Sequence, residues 1–387
     1  MYTKLAGLGL LLLAFGGYIA GIPVVSAAVP IGPIAVGAVI TAVAVVVRLF
    51  QRPDTRAILP LAVLGLAFLP GVILAPIGIG YADDKVAQLL SIVPLTIIGA
   101  ALCIQDRRAL RVVQLGTVAV GVLVGVVSFV YADAALVGSG RYAAEGSNTI
   151  AAGRAAAGGF VVAVLMGLTA KRWLYAGPAA VFLAVAAVVS GSRGPILAAG
   201  IALAVALVVS RLKFPAIATF GLVALGLVGY RFALANEVIP ERLLSFDDGS
   251  AQARSSLLDA TIDIAASNVG GIGWGGLALE YTGFPGLSAN NFRYPHNIYI
   301  EAAAEGGLVA FLALVGVLLL AVRMSVRASG DWLETSALAL LIFFSVNAFV
   351  SGDLISNRGF WLYLGVCLAA GARGRSAVQR SAEDSSE

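Results

Sequence analysis

Histidine, cysteine and charge are scarce in this chain, and each shortage removes a class of chemistry. His296 is the single histidine among 387 residues, and Cys103 and Cys367 are the two cysteines. Both cysteines fall inside apolar runs, so no disulfide framework is expected. One imidazole and two thiols in apolar surroundings exclude an ordinary zinc site. The acidic pairs Asp83 with Asp84 and Asp247 with Asp248 read as solvated loops rather than magnesium or calcium sites. No metal and no cofactor are expected. Charged residues make up 12% of the chain and hydrophobic residues 60%, with a mean hydropathy of +0.96. That balance excludes a soluble globular domain. The formal net charge of +4 needs no nucleic-acid partner, because basic residues gather in short loops as membrane topology requires.

What the chain has in abundance is apolar runs of about 20 residues, each long enough to span a bilayer. Twelve spans are expected, at 5–26, 29–50, 58–80, 87–104, 112–131, 153–170, 174–190, 195–210, 214–231, 297–322, 335–351 and 359–372. The fold class is therefore all-α, a polytopic membrane protein. Lys4, the first apolar run and Val25 to Ala28 imitate a signal peptide. Further spans follow at once, so this stretch reads as an uncleaved first helix. Residues 1–372 form the membrane domain, 232–296 one longer extracytoplasmic loop, and 373–387 a charged, Ser-rich cytoplasmic tail expected to be disordered.

Alternate loops divide the 25 basic residues into sixteen and nine. The richer side, with Arg48, Arg107, Arg108 and Arg323 among others, is expected to be cytoplasmic, with both termini. The poorer side holds Lys85, Arg141, Arg154, Arg193, Arg231, Arg242, Arg254, Arg293 and Arg358. Eight of those nine are arginine, whose planar fork grips phosphate at two points and keeps its charge.

Three outward elements could carry chemistry. Ser190 to Pro195 puts Arg193 in a tight turn between spans, where helix-end N–H groups and a guanidinium make an anion site. Arg254 lies on a short helix expected over 250–268, with Leu257, Leu258, Ile262 and Ala265 at helical spacing. His296 stands where the long polar segment gives way to a span, and its ordinary pKa suits it to take and return a proton. Together they fit a membrane-borne phosphate or diphosphate. Arginines would stabilise the charge developing on a leaving diphosphate, and a sugar hydroxyl acceptor would need His296 as its base. Glu301 and Glu305 follow on the same helix at about 140° and 180° from His296. Glu305 therefore supports the site rather than pairing directly with the base. The segment Gly270 to Gly276 imitates a dinucleotide fingerprint, but no βαβ unit surrounds it. It reads as a turn permitting close backbone approach.

Three pieces recur together: Ser192-Arg193-Gly194, Arg254 followed by Asn268 to Trp274, and His296-Asn297 with Glu305-Gly306. In these pieces, their order and the twelve-span frame, the chain resembles the O-antigen ligase and O-antigen polymerase family of bacterial envelope glycosyltransferases. The resemblance implies a fold of the membrane glycosyltransferase C (GT-C) type in the cytoplasmic (inner) membrane, with the active site outside. It implies an undecaprenyl-diphosphate-linked glycan as donor, a glycan, lipid or protein acceptor, and metal-independent, inverting transfer. It also implies Arg193, Arg254 and His296 as the catalytic set. Arg154, Arg293, Asn297 and Glu305 are expected against substrate. The chain has Leu258 where the family often carries an aromatic residue.

Ligase and polymerase share these motifs and differ in the acceptor pocket. The alternative from another class is a multi-span transporter or flippase of lipid-linked or anionic substrates. A carrier should hold ionisable residues within its spans, and the expected spans are almost free of them.

Overall fold

The structure, a computed structural model, describes residues 2–20, 23–51, 53–133, 137, 142–143, 148–170, 172–209, 249–281 and 294–373. The helices are α1 (Tyr2–Ile19), α2 (Pro23–Ala28), α3 (Pro33–Phe50), α4 (Ile58–Ile73), α5 (Gly80–Leu90), α6 (Ile92–Cys103), α7 (Arg107–Val130) and α8 (Thr149–Ala170). They continue with α9 (Trp173–Val189), α10 (Arg193–Val209), α11 (Gly249–Ser267), α12 (Leu277–Glu280), α13 (Ile298–Ala328), α14 (Trp332–Val350) and α15 (Arg358–Leu368). No strand forms among the described residues.

Among the described residues, seven helical stretches are long and apolar enough to cross a membrane: α1, α3, α5 with α6, α7, α8, α13 and α14. The shorter apolar helices α4, α9 and α10 accompany them. Eleven of the twelve expected spans thus fall on helices, while 214–231 lies outside the described residues. The last expected span, 359–372, is centred on an 11-residue helix, α15, whose residues from Gly359 onward are buried. It is a core element too short to cross alone. Of the expected outer loop, 249–281 and 294–296 are described. The tail beyond Arg373 also lies outside the described residues.

Local chemistry sets the helix ends. Asp106 caps α7 by accepting from the Ala109 N–H at 2.7 Å. Asp331 caps α14 by accepting from the N–H groups of Leu333 and Glu334 at 2.8 and 3.1 Å. Both supply a carboxylate to donors that have no partner inside the helix. At the centre lies α8, 83% buried across its span, with α14 at 72%. Small residues on α8, Ala155 to Gly159, let α7, α9 and α14 approach closely.

The long helix α13 is broken. Gly307 has φ 81° and interrupts the helical path. The break leaves the carbonyls of Ala304 and Glu305 without helical donors, and the glycine-rich segment supplies them. Ile272 N–H donates to Ala304 at 3.0 Å, Gly273 N–H to Glu305 at 2.9 Å, and Trp274 N–H to Gly71 of α4 at 2.8 Å. Trp274 is fully enclosed and donates its indole N–H to the Phe68 carbonyl at 2.9 Å. A Cβ on Gly273 would come within 2.2 Å of the Leu74 carbonyl oxygen, so only glycine permits this approach. The segment is thus a close-approach turn, as expected. It is inserted between α4 and α13.

Beside the break lies a cluster that hydropathy reading missed. Lys85 of α5 pairs with both Glu301 and Glu305 of α13, and all three are fully enclosed. Two corrections follow. Lys85 is not an outer-loop residue but an interior one, because α5 begins at Gly80. Asp83 and Asp84 sit on its first turns rather than in a loop, and both are exposed, as expected of a solvated pair. The spans are also not free of ionisable groups, so that contrast no longer separates an enzyme from a carrier. On the far side Arg373 and Glu334 form a second buried pair at 2.6 Å.

Removing one member of a buried ion cluster leaves uncompensated charge, a cost of about 3–5 kcal/mol. Lys85→Met is expected to lower the thermal unfolding midpoint in detergent strongly. The triple change Lys85→Met, Glu301→Gln and Glu305→Gln should recover most of it. An unaltered midpoint for Lys85→Met alone would show that the cluster does not hold the helices together.

Candidate functional site

His296 sits between Pro295 and the N-cap of α13. Asn297 accepts the N–H groups of Tyr299 and Ile300 at 3.0 and 3.2 Å. His296 itself has φ 60°, the one non-glycine residue with positive φ among those described. Such a conformation is uncommon outside glycine, and strain of this kind gathers at functional sites. The ring is half-buried, and its Nδ1 is enclosed without a hydrogen-bond partner.

The imidazole borders a cavity of about 400 Å³. Arg154, Arg358, Tyr294, Tyr18 and Asn148 share its wall. Arg154 is 5% exposed. Its Nη2 donates to the Ser351 carbonyl at 2.7 Å and to that of Asn347 at 3.4 Å. Helix α8 and the end of α14 therefore aim it. Behind the histidine, Tyr294 meets it edge-on at 4.7 Å and stacks on Tyr81 at 6.3 Å. Tyr81 donates to Asp353 at 2.8 Å. Glu301 accepts from the Leu354 N–H at 3.1 Å, and Glu305 from that of Leu277 at 3.3 Å. The buried cluster therefore ties α5, α12, α13 and the segment before α15 into one frame under His296.

The field at His296 lowers its pKa to about 4. Burial contributes most, then the Arg254 guanidinium, with Arg154 adding to it and Asp353 opposing. The imidazole is neutral at physiological pH and can accept a proton. Tyr294 has its phenol raised by burial and the nearby carboxylates, so it stays protonated.

Arg254 reaches this neighbourhood from α11, docked by Leu257, Ala260 and Ile264 against Leu277, Tyr281 and Ala304. The Thr261 and Tyr281 hydroxyls join at 2.6 Å. The inward face is not quite the expected one: Ile262 is exposed. Arg193 opens α10, and its turn packs on α8 beside Arg154. A Cβ on Gly153 would come within 2.7 Å of the Ser190 hydroxyl.

Of the expected residues, His296 and Arg154 line one cavity, Arg254 acts on it electrostatically, and Arg193 stands on the adjoining turn. Asn297 is 3% exposed and its side chain is spent on capping. Glu305 was expected against substrate, but it is enclosed on Lys85 and does not line the cavity. Arg293 lies outside the described residues. Sequence reasoning passed over Tyr81, Lys85, Asp353 and Arg358 as site residues. A signal was available for Arg358, one of the eight outward arginines, but no motif surrounds it.

Residues 178–315 match a protein-family model described as O-Antigen ligase. The match takes in the Arg193 turn, Arg254, the glycine-rich segment and His296, and leaves out Arg154, Lys85, Asp353 and Arg358. Neither a curated protein nor a solved structure matches the chain.

A single histidine gives a single imidazole resonance, which makes its titration readable by NMR. The expected midpoint in the folded protein is near pH 4, against about 6.5 in the unfolded chain. Because the folded value is depressed, the unfolded state binds the proton first. Stability is therefore lost as pH falls from 6.5 through 4. Arg254→Gln should move the midpoint upward. A midpoint near 6.5 in the folded protein would refute the assigned environment.

Proposed function

We propose, from the match of residues 178–315 to the family model described as O-Antigen ligase, that this chain transfers a glycan from undecaprenyl diphosphate to an acceptor hydroxyl on the outer membrane face. The family match supports the coarser conclusion, O-antigen ligase-type glycan transfer by a membrane protein. The observation that supports the finer one is the cavity in which a neutral histidine faces fixed guanidinium groups.

The chemistry follows from charge and reach. The acceptor oxygen attacks the anomeric carbon, the carbon–oxygen bond to the diphosphate breaks, and the hydroxyl proton passes to His296. Negative charge collects on the departing diphosphate, where Arg254, Arg193 and Arg154 stabilise it. A base with a pKa near 4 is weak for this work, since efficiency peaks when the pKa lies near the working pH. A bound diphosphate offsets part of that. Burial, the largest cause, persists, but the diphosphate charge counters the arginines and raises the His296 pKa. Donor binding thereby primes the base.

A second cavity, of about 340 Å³, suits the lipid part of such a donor. Leu61, Leu64, Phe68, Leu89, Val93 and Trp361 line it. Its apolar walls offer an isoprenoid chain a bed inside the bundle. Trp361 and Arg358 lie on one helix, so the apolar cavity begins about one turn from the polar one. Ligase and polymerase remain alternatives within this reading, separated by the acceptor. Transport is the second reading, and the buried Lys85 cluster is what favours it.

The test is transfer by reconstituted protein from an undecaprenyl-diphosphate-linked oligosaccharide, with and without a separate lipid or peptide acceptor. His296→Ala should cut transfer by about 10²–10⁴-fold with insertion intact. A fully active, folded His296→Ala protein would sink the assignment. The acid limb of kcat/KM, which reports free enzyme, is expected near pH 4. The limb of kcat, which reports the complex, should lie higher. Coincident limbs would argue against priming by the donor.

A further inference from the structure

Arg358 opens α15 and stands half-buried on the wall of the His296 cavity. It lies outside the matched residues, and the transfer chemistry above gives it no role. One of its contacts is to a side chain: Nη2 donates to the Gln88 carbonyl oxygen at 2.9 Å. A Cβ on Gly17 of α1 would stand 3.7 Å from Nη1. The guanidinium is thus wedged between α1 and α5. Its Nε is enclosed and has no hydrogen-bond partner.

Two other atoms, of residues that line the same cavity, share that condition. Arg154 spends Nη2 on carbonyls, but its Nε is enclosed and unpartnered. His296 Nδ1 is the third. A buried charged donor left without an acceptor is costly and is rarely kept without a reason. The neighbouring carboxylate, Asp353, does not border the cavity and already accepts from Tyr81 and from the Ser356 N–H. Two permanently charged forks therefore face one space without a lining carboxylate among the described residues. A group with several anionic oxygens satisfies both forks at once.

We propose that Arg358 and Arg154 form a two-guanidinium clamp that holds the diphosphate of the donor beside His296, with Arg358 a binding residue in its own right. The proposal rests on the reading of the donor as a lipid diphosphate. Arg193 and Arg254 lie on the side reached from α10 and α11. The clamp adds the wall built by α8 and α15, so the phosphates are gripped from the bundle as well as from the outer segment.

The test measures binding rather than turnover. Purified full-length His296→Ala protein in detergent is titrated with farnesyl diphosphate and, separately, with inorganic pyrophosphate. Adding Arg358→Gln should weaken binding of both by at least about tenfold, the scale of one charge-assisted hydrogen bond. Adding Gln88→Leu removes the contact that steadies Arg358 but keeps its charge, and should leave affinity within about twofold, because the clamp works by charge. Arg358→Lys, which keeps the charge without the fork, should fall between and covers the case in which Arg358→Gln fails to fold. Unchanged affinity in Arg358→Gln or Arg358→Lys overturns the clamp. So does a loss in Gln88→Leu as large as in Arg358→Gln, which would make Arg358 structural. A loss confined to farnesyl diphosphate would put Arg358 against the tail and also overturn it. If the parent His296→Ala protein binds neither probe, the donor reading itself has failed. If it binds and Arg358→Gln changes nothing, only the clamp has.

Discussion

The enclosed pairing of Lys85 with Glu301 and Glu305 is the interaction on which the site depends. Charge inside an apolar bundle persists only when it is paired and its remaining lone pairs are satisfied. Both conditions are met here. Lys85 reaches both carboxylates, and those carboxylates accept backbone N–H groups from Leu354 and Leu277. The result ties three separate parts of the chain to the short half-helix that begins two residues after His296. The break at Gly307 is what allows this. It ends the half-helix early and opens its last carbonyls to the glycine-rich segment.

The electrostatic pattern has two layers. Arg154 and Arg358 line the His296 cavity, and carboxylates with one lysine lie beneath it. His296 stands at the boundary, kept neutral first by burial, then by Arg254 and Arg154, and pulled back by Asp353. An anionic substrate entering the upper layer changes that balance in a known direction. It would offset the arginines while burial and Asp353 go on opposing each other, so the base would gain strength with the substrate in place. The aromatic stack of Tyr81, Tyr294 and His296 carries the geometric side of the same arrangement.

Asparagine and glutamate near the histidine show how motif and role can part. Asn297 belongs to the recognisable stretch, yet its side chain closes the end of α13. Glu305 belongs to it too, yet it works underneath on Lys85. Their presence in the stretch reflects the scaffold that holds the histidine rather than contact with the reacting atoms. Arg358, by contrast, has no motif around it and stands on the cavity wall.

By itself the sequence determined the all-helical membrane class and placed helices at eleven of the twelve expected positions, seven stretches being long and apolar enough to cross, and it singled out His296, Arg254 and Arg193 as candidates. These are legible because hydropathy is local, a lone histidine is conspicuous, and the arginine and glycine motifs are contiguous. Only the tertiary structure decided that Lys85 is interior, that Glu305 is its partner, and that α15 is a core helix too short to cross alone. It also decided which cations share a cavity. Arg154 and Arg358 are 204 positions apart in the chain, and nothing in local pattern relates them. Their meeting follows from α8 and α15 both packing on α14, a matter of which apolar faces fit together, and composition cannot encode that in any one stretch.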